Sequence, residues 1–284
     1  MNIKRISICI FTLFLGFPAS IANVHAAAGR PTPLVLGETF TIESRILGES
    51  RHINVYAPAG YAESSDMRIP VLYMPDGGMA EDFLHIAGLL QVSIGNGTMR
   101  PFLLVGIENT QRRRDMTGPT KNEDDKKIAP KVGGSAAFRQ FIRDELMPEI
   151  KLRYRTTQET AIVGESLAGL FVIETFLLEP KLFDTYIAFD PSLWWNNGDL
   201  VHGADKALRK QANLKKQLYF ASSNEKGIAD ITLQLSELLN KKAPAGLQWQ
   251  YVEMPEESHG TIYHPAALKS FRILFKPAPA NPRP

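Results

Sequence analysis

Cysteine is nearly missing from this 284-residue chain, and Cys9 is the only one. It lies inside the short apolar run Ile6 to Phe17, which follows Lys4 and Arg5 and precedes the small residues of Val24-His25-Ala26. A basic start, a short apolar stretch and small residues at the −3 and −1 positions have the form of a secretory signal peptide cleaved after Ala26. The run is shorter than the ~20 apolar residues that cross a bilayer; an uncleaved signal anchor is the alternative. Cys9 sits within the run and not just after it, which makes it a poor lipoprotein cysteine. Loss of residues 1–26 therefore removes the only thiol. The mature chain has no disulfide, no thiol nucleophile and no cysteine-based metal site.

Excess charge of either sign is missing too. The chain holds 32 basic and 30 acidic residues, and the leader carries two of the basic ones, so 30 face 30 after cleavage. A neutral chain has no general electrostatic drive toward nucleic acid or an anionic membrane. A periplasmic or secreted protein is expected, with a small-molecule partner, no nucleic acid and no stable membrane association after cleavage. Long apolar runs, internal repeats and a second-domain boundary are also absent. Residues 27–276 read as one domain, large enough for a core without disulfides or metals. The proline-rich residues 277–284 read as a disordered tail.

What is present is alternation. Thr39 to Leu47 and Arg51 to Ala57 alternate polar and apolar residues, as half-exposed strands do. Apolar runs follow, starting at Ile69, Pro101, Thr160, Thr185, Gln217 and Leu247. Such short runs suit a mostly parallel sheet covered on both faces. Helical spacing over 134–153 sets Phe138, Phe141, Ile142, Leu146 and Ile150 on one face. Further helices are expected over 167–178 and 228–241, and from about Pro265 onward. Strands alternating with helices predict an α/β fold. The polar, charged stretch 111–131 reads as a long loop or lid.

Gly-Glu-Ser occurs twice. At 48–50 it joins two alternating strands and reads as a turn. Gly164-Glu165-Ser166-Leu167-Ala168 is a near match to the nucleophile-elbow pattern G-x-S-x-G, with Ala168 for the last glycine and Gly169 after it. Chance alone produces such a pentapeptide in roughly one chain in five of this length. Its context is more specific, because Ala161-Ile162-Val163 reads as a buried strand and a helix opens directly after it. Ser166 is thus the candidate nucleophile, and a serine hydroxyl needs a base. In this fold the order is serine, acid, histidine. His259 stands in the loop before the last helix, where the base is expected. His202 comes too early and His264 reads as a helix-terminus residue. The acid is Glu225, after the penultimate strand; Asp190, one strand earlier, is the alternative, as is a dyad with no acid. Backbone N–H groups must meet the charge that develops on the substrate oxygen. Leu167 and Gly78 are the candidates, with Gly77 beside it.

"MPDGG", "IENTQRRRD", "VGESLAGLF", "DPSLWW" and "ESHG" follow one another in an order that resembles the esterase D-like family of α/β hydrolases. Within it, the chain is most similar to siderophore esterases that open enterobactin- and salmochelin-type trilactones. The resemblance spans about Thr39 to Phe275 and implies a serine esterase with no metal and no organic cofactor. It carries over the nucleophile to Ser166 and the base to His259, and sets the acid on or near Glu225. Asp190 stands where serine is more usual, which leaves it open as a competing acid. Trp194 and Trp195 either flank the pocket and stack on an aromatic acyl group or only pack the fold. Arg113, with Arg112 and Arg114, either attracts an anionic substrate or lies on a solvated loop. An acyltransferase and a non-catalytic binding protein are the rival readings of the same scaffold.

Overall fold

Leu72 and Met74 point to one side of their strand while Val71 and Tyr73 point to the other, and all four are buried. Side chains alternate across a strand, so a segment apolar at every position needs cover on both faces. The computed structural model, which describes residues 30–211 and 213–278, supplies that cover. The signal peptide read at residues 1–26 and most of the tail lie outside the described residues. A compact unit starts at Leu36.

Its eight strands are β1 (Glu38–Ser44), β2 (Glu49–Tyr56), β3 (Ile69–Pro75), β4 (Leu103–Ile107), β5 (Thr156–Glu165), β6 (Thr185–Phe189), β7 (Gln217–Ser222) and β8 (Gln248–Glu253). They form one sheet in the order β1-β2-β4-β3-β5-β6-β7-β8. The pairs β1·β2 and β2·β4 are antiparallel, and every other pair is parallel. Gly48, with φ of 67°, closes the turn between β1 and β2, and Glu49 and Ser50 already belong to β2. The first Gly-Glu-Ser is thus a strand junction.

The helices are α1 (Phe83–Gly95), α2 (Arg112–Asp115), α3 (Glu123–Lys127), α4 (Ser135–Phe141), α5 (Met147–Arg153), α6 (Leu167–Leu178), α7 (Asp199–His202), α8 (Ala204–Arg209), α9 (Lys226–Lys242) and α10 (Tyr263–Leu274). One core layer joins Val71, Tyr73, Ile162 and Phe220 of the sheet to Phe138 of α4, Phe171 of α6, Leu208 of α8 and Leu235 of α9. The layer on the other face joins Leu72, Val163, Phe189 and Tyr219 to Ile86 and Leu90 of α1 and Phe271 of α10.

Three expectations are modified. The helix expected over 134–153 is interrupted by a π-helical segment at Ile142–Leu146, which ends two residues before Pro148. Proline brings no N–H for the carbonyl four residues back and crowds it, and a wider turn accommodates that loss. The strand read from Leu247 is not covered on both faces. As the sheet edge, β8 exposes Gln248 and Gln250, while Trp249 and Tyr251 pack on Phe220. The stretch 111–131 forms α2 and α3 and is tied down: the Gly118 carbonyl accepts from Trp195 Nε1 at 2.9 Å, and Asp125 Oδ2 accepts from the Asn196 N–H at 2.7 Å.

Candidate active site

In the parallel part of the sheet, loops leave the strands at their carboxyl ends, and the chemistry-bearing side chains gather there. Ser166 follows β5 with φ 60° and ψ −120°, far from the helical values adopted one residue later. Such a conformation is strained, and packing holds it. A Cβ on Gly164 would lie 2.7 Å from the Cβ of Ala168, so the strand and α6 approach each other only because the first position is glycine. Alanine at the fifth position fills the space that glycine leaves free. The Ser166 N–H donates to the Phe189 carbonyl and the Ser166 carbonyl accepts from Leu170 and Ser192, which ties the elbow to β6 and α6.

Ser166 Oγ is 3.1 Å from His259 Nε2. The two residues are ninety-three positions apart and meet because the loop between β8 and α10 folds back over the sheet. That loop is anchored by Met254 N–H to the Ser222 carbonyl at 2.8 Å and by Asn224 N–H to the Glu257 carbonyl at 3.0 Å. His259 Nδ1 lies 3.0 Å from Asp190 Oδ2. The Asp190 hydrogen bond, the largest influence, raises the His259 pKa, since it favours the imidazolium.

Asp190, not Glu225, is the carboxylate that reaches the histidine. It is fully buried at the end of β6. Its Oδ1 accepts from the Ser223 N–H and its Oδ2 from the Ser223 hydroxyl, both at 2.6 Å. Glu225 is exposed one residue before α9, where its own N–H donates to Ser223 Oγ at 3.2 Å. The positions of the two residues relative to their strands explain the difference. Residue 190 follows its strand directly and lies under the histidine loop, whereas residue 225 stands three positions past β7, on the solvent side.

A third carboxylate had no sequence signal beyond its place within the elbow. Glu165 Oε1 is 3.3 Å from His259 Nδ1, is shielded from water and accepts no hydrogen bond. Burial pushes the Glu165 pKa up to about 7, against the pull of His259 and Arg112. Glu165, Asp190 and His259 place ligand-type atoms within 4.8 Å of one another, the one such group among the described residues. Both Asp190 oxygens already accept from Ser223, so Asp190 is committed to Ser223 and His259, and Glu165 alone of the set has an unused oxygen.

The Leu167 N–H, in the first turn of α6, meets no acceptor among the described residues. The Gly78 N–H is not free: it donates to Glu81 Oε2 at 2.6 Å. Gly77 donates to the Ile107 carbonyl at 3.0 Å and is committed to the sheet. Trp195 is buried in the core and hydrogen-bonded to Gly118, so it packs the fold and offers no stacking face. Trp194 is 38% exposed. Arg113 is exposed and donates to the Ile128 carbonyl. It lines an open pocket with Arg112, Arg114, Ala129, Pro130 and Lys131. Arg112 grips Asp76 at the end of β3 through two bonds of 2.7 and 2.8 Å.

The chain resembles known proteins over most of its length. The chain is 28% identical over 247 residues to the ferri-bacillibactin esterase BesA of Bacillus subtilis (strain 168), a match covering 78% of this chain and 81% of BesA. It is 31% identical over 198 residues to the siderophore triacetylfusarinine C esterase of Aspergillus fumigatus, covering 62% of this chain and 63% of that one. The crystal structure of an IroE-like serine hydrolase from Shewanella oneidensis is similar with a TM-score of 0.77 at 32% identity, over 84% of this chain and 80% of that chain. A family model described as Putative esterase matches residues 44–254. The chain therefore has the α/β-hydrolase fold and belongs to this esterase family, siderophore esterases being among its similar members.

Proposed function

We propose that the protein is a serine ester hydrolase that works through an acyl-enzyme, with Ser166 as nucleophile, His259 as base and Asp190 as the acid that orients it. The observation that carries this reading is the chain of contacts from Ser166 Oγ to His259 Nε2 at 3.1 Å and from His259 Nδ1 to Asp190 Oδ2 at 3.0 Å. Ser166 Oγ attacks the ester carbonyl while His259 Nε2 takes its proton. Asp190 keeps the proton of the neutral ring on Nδ1, which leaves Nε2 as the acceptor, and then stabilises the imidazolium. The Leu167 N–H supports the oxyanion, and Gly78 adds a second donor once the Glu81 side chain swings aside. His259 returns the proton to the leaving alkoxide and next activates water, which frees the acid and regenerates Ser166.

For the substrate we favour a siderophore ester. BesA and the Aspergillus enzyme are named for such substrates. Arg113 and Lys131, which line the open pocket and pair with no carboxylate among the described residues, suit an anionic ligand such as a ferric catecholate. Trp194 offers an exposed ring for an aromatic acyl group. An exported place of action, periplasmic or secreted, belongs to the same proposal. The test is a panel of p-nitrophenyl esters, feruloyl esters and iron-free and ferric trilactone siderophores, assayed with wild type and Ser166→Ala. The reading expects trilactone cleavage at the highest kcat/KM, lost in Ser166→Ala. Trilactone turnover no faster than that of simple esters would overturn the substrate assignment. An added alcohol acceptor separates hydrolysis, which yields mainly free acid, from acyl transfer.

A further inference from the structure

Two carboxylates converge on one ring nitrogen. His259 Nδ1 is 3.0 Å from Asp190 Oδ2 and 3.3 Å from Glu165 Oε1. Asp190 is fully engaged, with Ser223 donating to each of its oxygens. Glu165 is the reverse case: its Oε1 is hidden from water and accepts from nothing. A buried carboxylate oxygen without a donor is costly, and no packing need explains it, since an apolar residue would fill the same space. Its charged and titratable surroundings come from five directions. Asp190 lies at the end of β6, His259 on the loop before α10, Arg112 on α2 and Asp82 just ahead of α1, while Tyr263 opens α10. Arg112 is already committed to Asp76, so His259 is the group toward which the free oxygen is turned.

We propose that Glu165 is a second positioning carboxylate for His259, sharing the Nδ1 face of the ring with Asp190 and stabilising the imidazolium. The inference rests on the serine-hydrolase reading of the same site. In the step concerned, the proton leaves Ser166 Oγ and joins His259 Nε2 as the Oγ–carbon bond forms. The Nδ1 proton stays on the ring, and no proton passes to Glu165. The ring changes from neutral to positive, and an ionised carboxylate 3.3 Å away favours that change. Ionised Glu165 therefore raises the proton affinity of His259, and removing its charge lowers it. A residue that served only packing would leave the basicity of His259 where it was.

The test is the pH profile of kcat/KM for the full chain on a p-nitrophenyl ester, with wild type, Glu165→Gln, Glu165→Asp, Asp190→Asn, the Asp190→Asn/Glu165→Gln double variant and Ser166→Ala. Thermal unfolding identifies any variant that does not fold. Glu165→Gln is expected to move the acidic limb down by about half a pH unit or more and to lower the plateau severalfold. Glu165→Asp, which keeps the charge, is expected to hold the limb nearer to wild type. Glu165→Gln should cost a larger factor in the Asp190→Asn background than alone, because it then removes the last carboxylate at Nδ1. Coincident limbs in wild type, Glu165→Gln and Glu165→Asp, with an equal fractional cost in both backgrounds, would overturn the proposal while an inactive Ser166→Ala left the parent reading standing. Full activity in Ser166→Ala would overturn both.

Discussion

Asp190 has no exposed surface, and three donors meet its two oxygens: the Ser223 N–H, the Ser223 hydroxyl and His259 Nδ1. Asparagine is the same size but offers one acceptor and one donor, so it favours the wrong tautomer of the ring. Asp190→Asn is expected to lower kcat by about 10²–10⁴, whereas Glu225→Gln, on the solvent side of α9, should change it less than about twofold. Steady-state kinetics on one ester decides between the two carboxylates. The pH profile follows from the same contacts. In the proposed reaction His259 acts as base only when neutral, and the hydrogen bond to Asp190 raises its pKa. As pH falls, wild-type kcat/KM should therefore begin to drop above the ordinary histidine midpoint of about 6.5. A limb centred well below that value would contradict the contact to Asp190.

The elbow between β5 and α6 was readable from local pattern alone, because strand, strained turn and helix are contiguous in the chain. Gly164 and Ala168 are four residues apart, and their packing is a property of that one pentapeptide. The loop that carries Trp194 and Trp195 was not readable in this way. Both indoles look alike in sequence, yet one is held by the Gly118 carbonyl inside the core and the other faces solvent. Only the return of the 111–131 stretch across this loop separates them. Trp195→Ala is expected to cost about 3–5 kcal/mol of unfolding free energy, measured by urea titration. Trp194→Ala should leave stability nearly unchanged and appear, if anywhere, in KM for an aromatic ester. The stretch 111–131 itself looked like a solvated lid because its charges are dense. Part of that charge is spent on fixed partners, Arg112 on Asp76 and Arg114 on Glu49. Arg114 holds the Glu49 carboxyl down at about 2 and so fastens α2 to β2.

Across the whole molecule, periodicity revealed the sheet, the helices on both faces and the loop that delivers His259. These depend on runs of residues that each strand or helix carries for itself. The contacts of Asp190 and Glu165 with His259 depend on which strand ends lie side by side. That order, β5 next to β6 and β6 next to β7, sets Asp190 rather than Glu225 under the histidine and brings Glu165 to its flank. No single segment encodes such neighbours. All three scales meet in one arrangement, in which a hydroxyl raised on a strained turn lies 3.1 Å from an imidazole brought by a distant loop, the contact proposed to make it nucleophilic. Mass spectrometry of the folded protein after reaction with a fluorophosphonate tests it most directly. One adduct on Ser166, absent in Ser166→Ala and formed far more slowly in His259→Ala, is the predicted result. A folded protein that takes up no label, or carries it on another serine, would contradict the account.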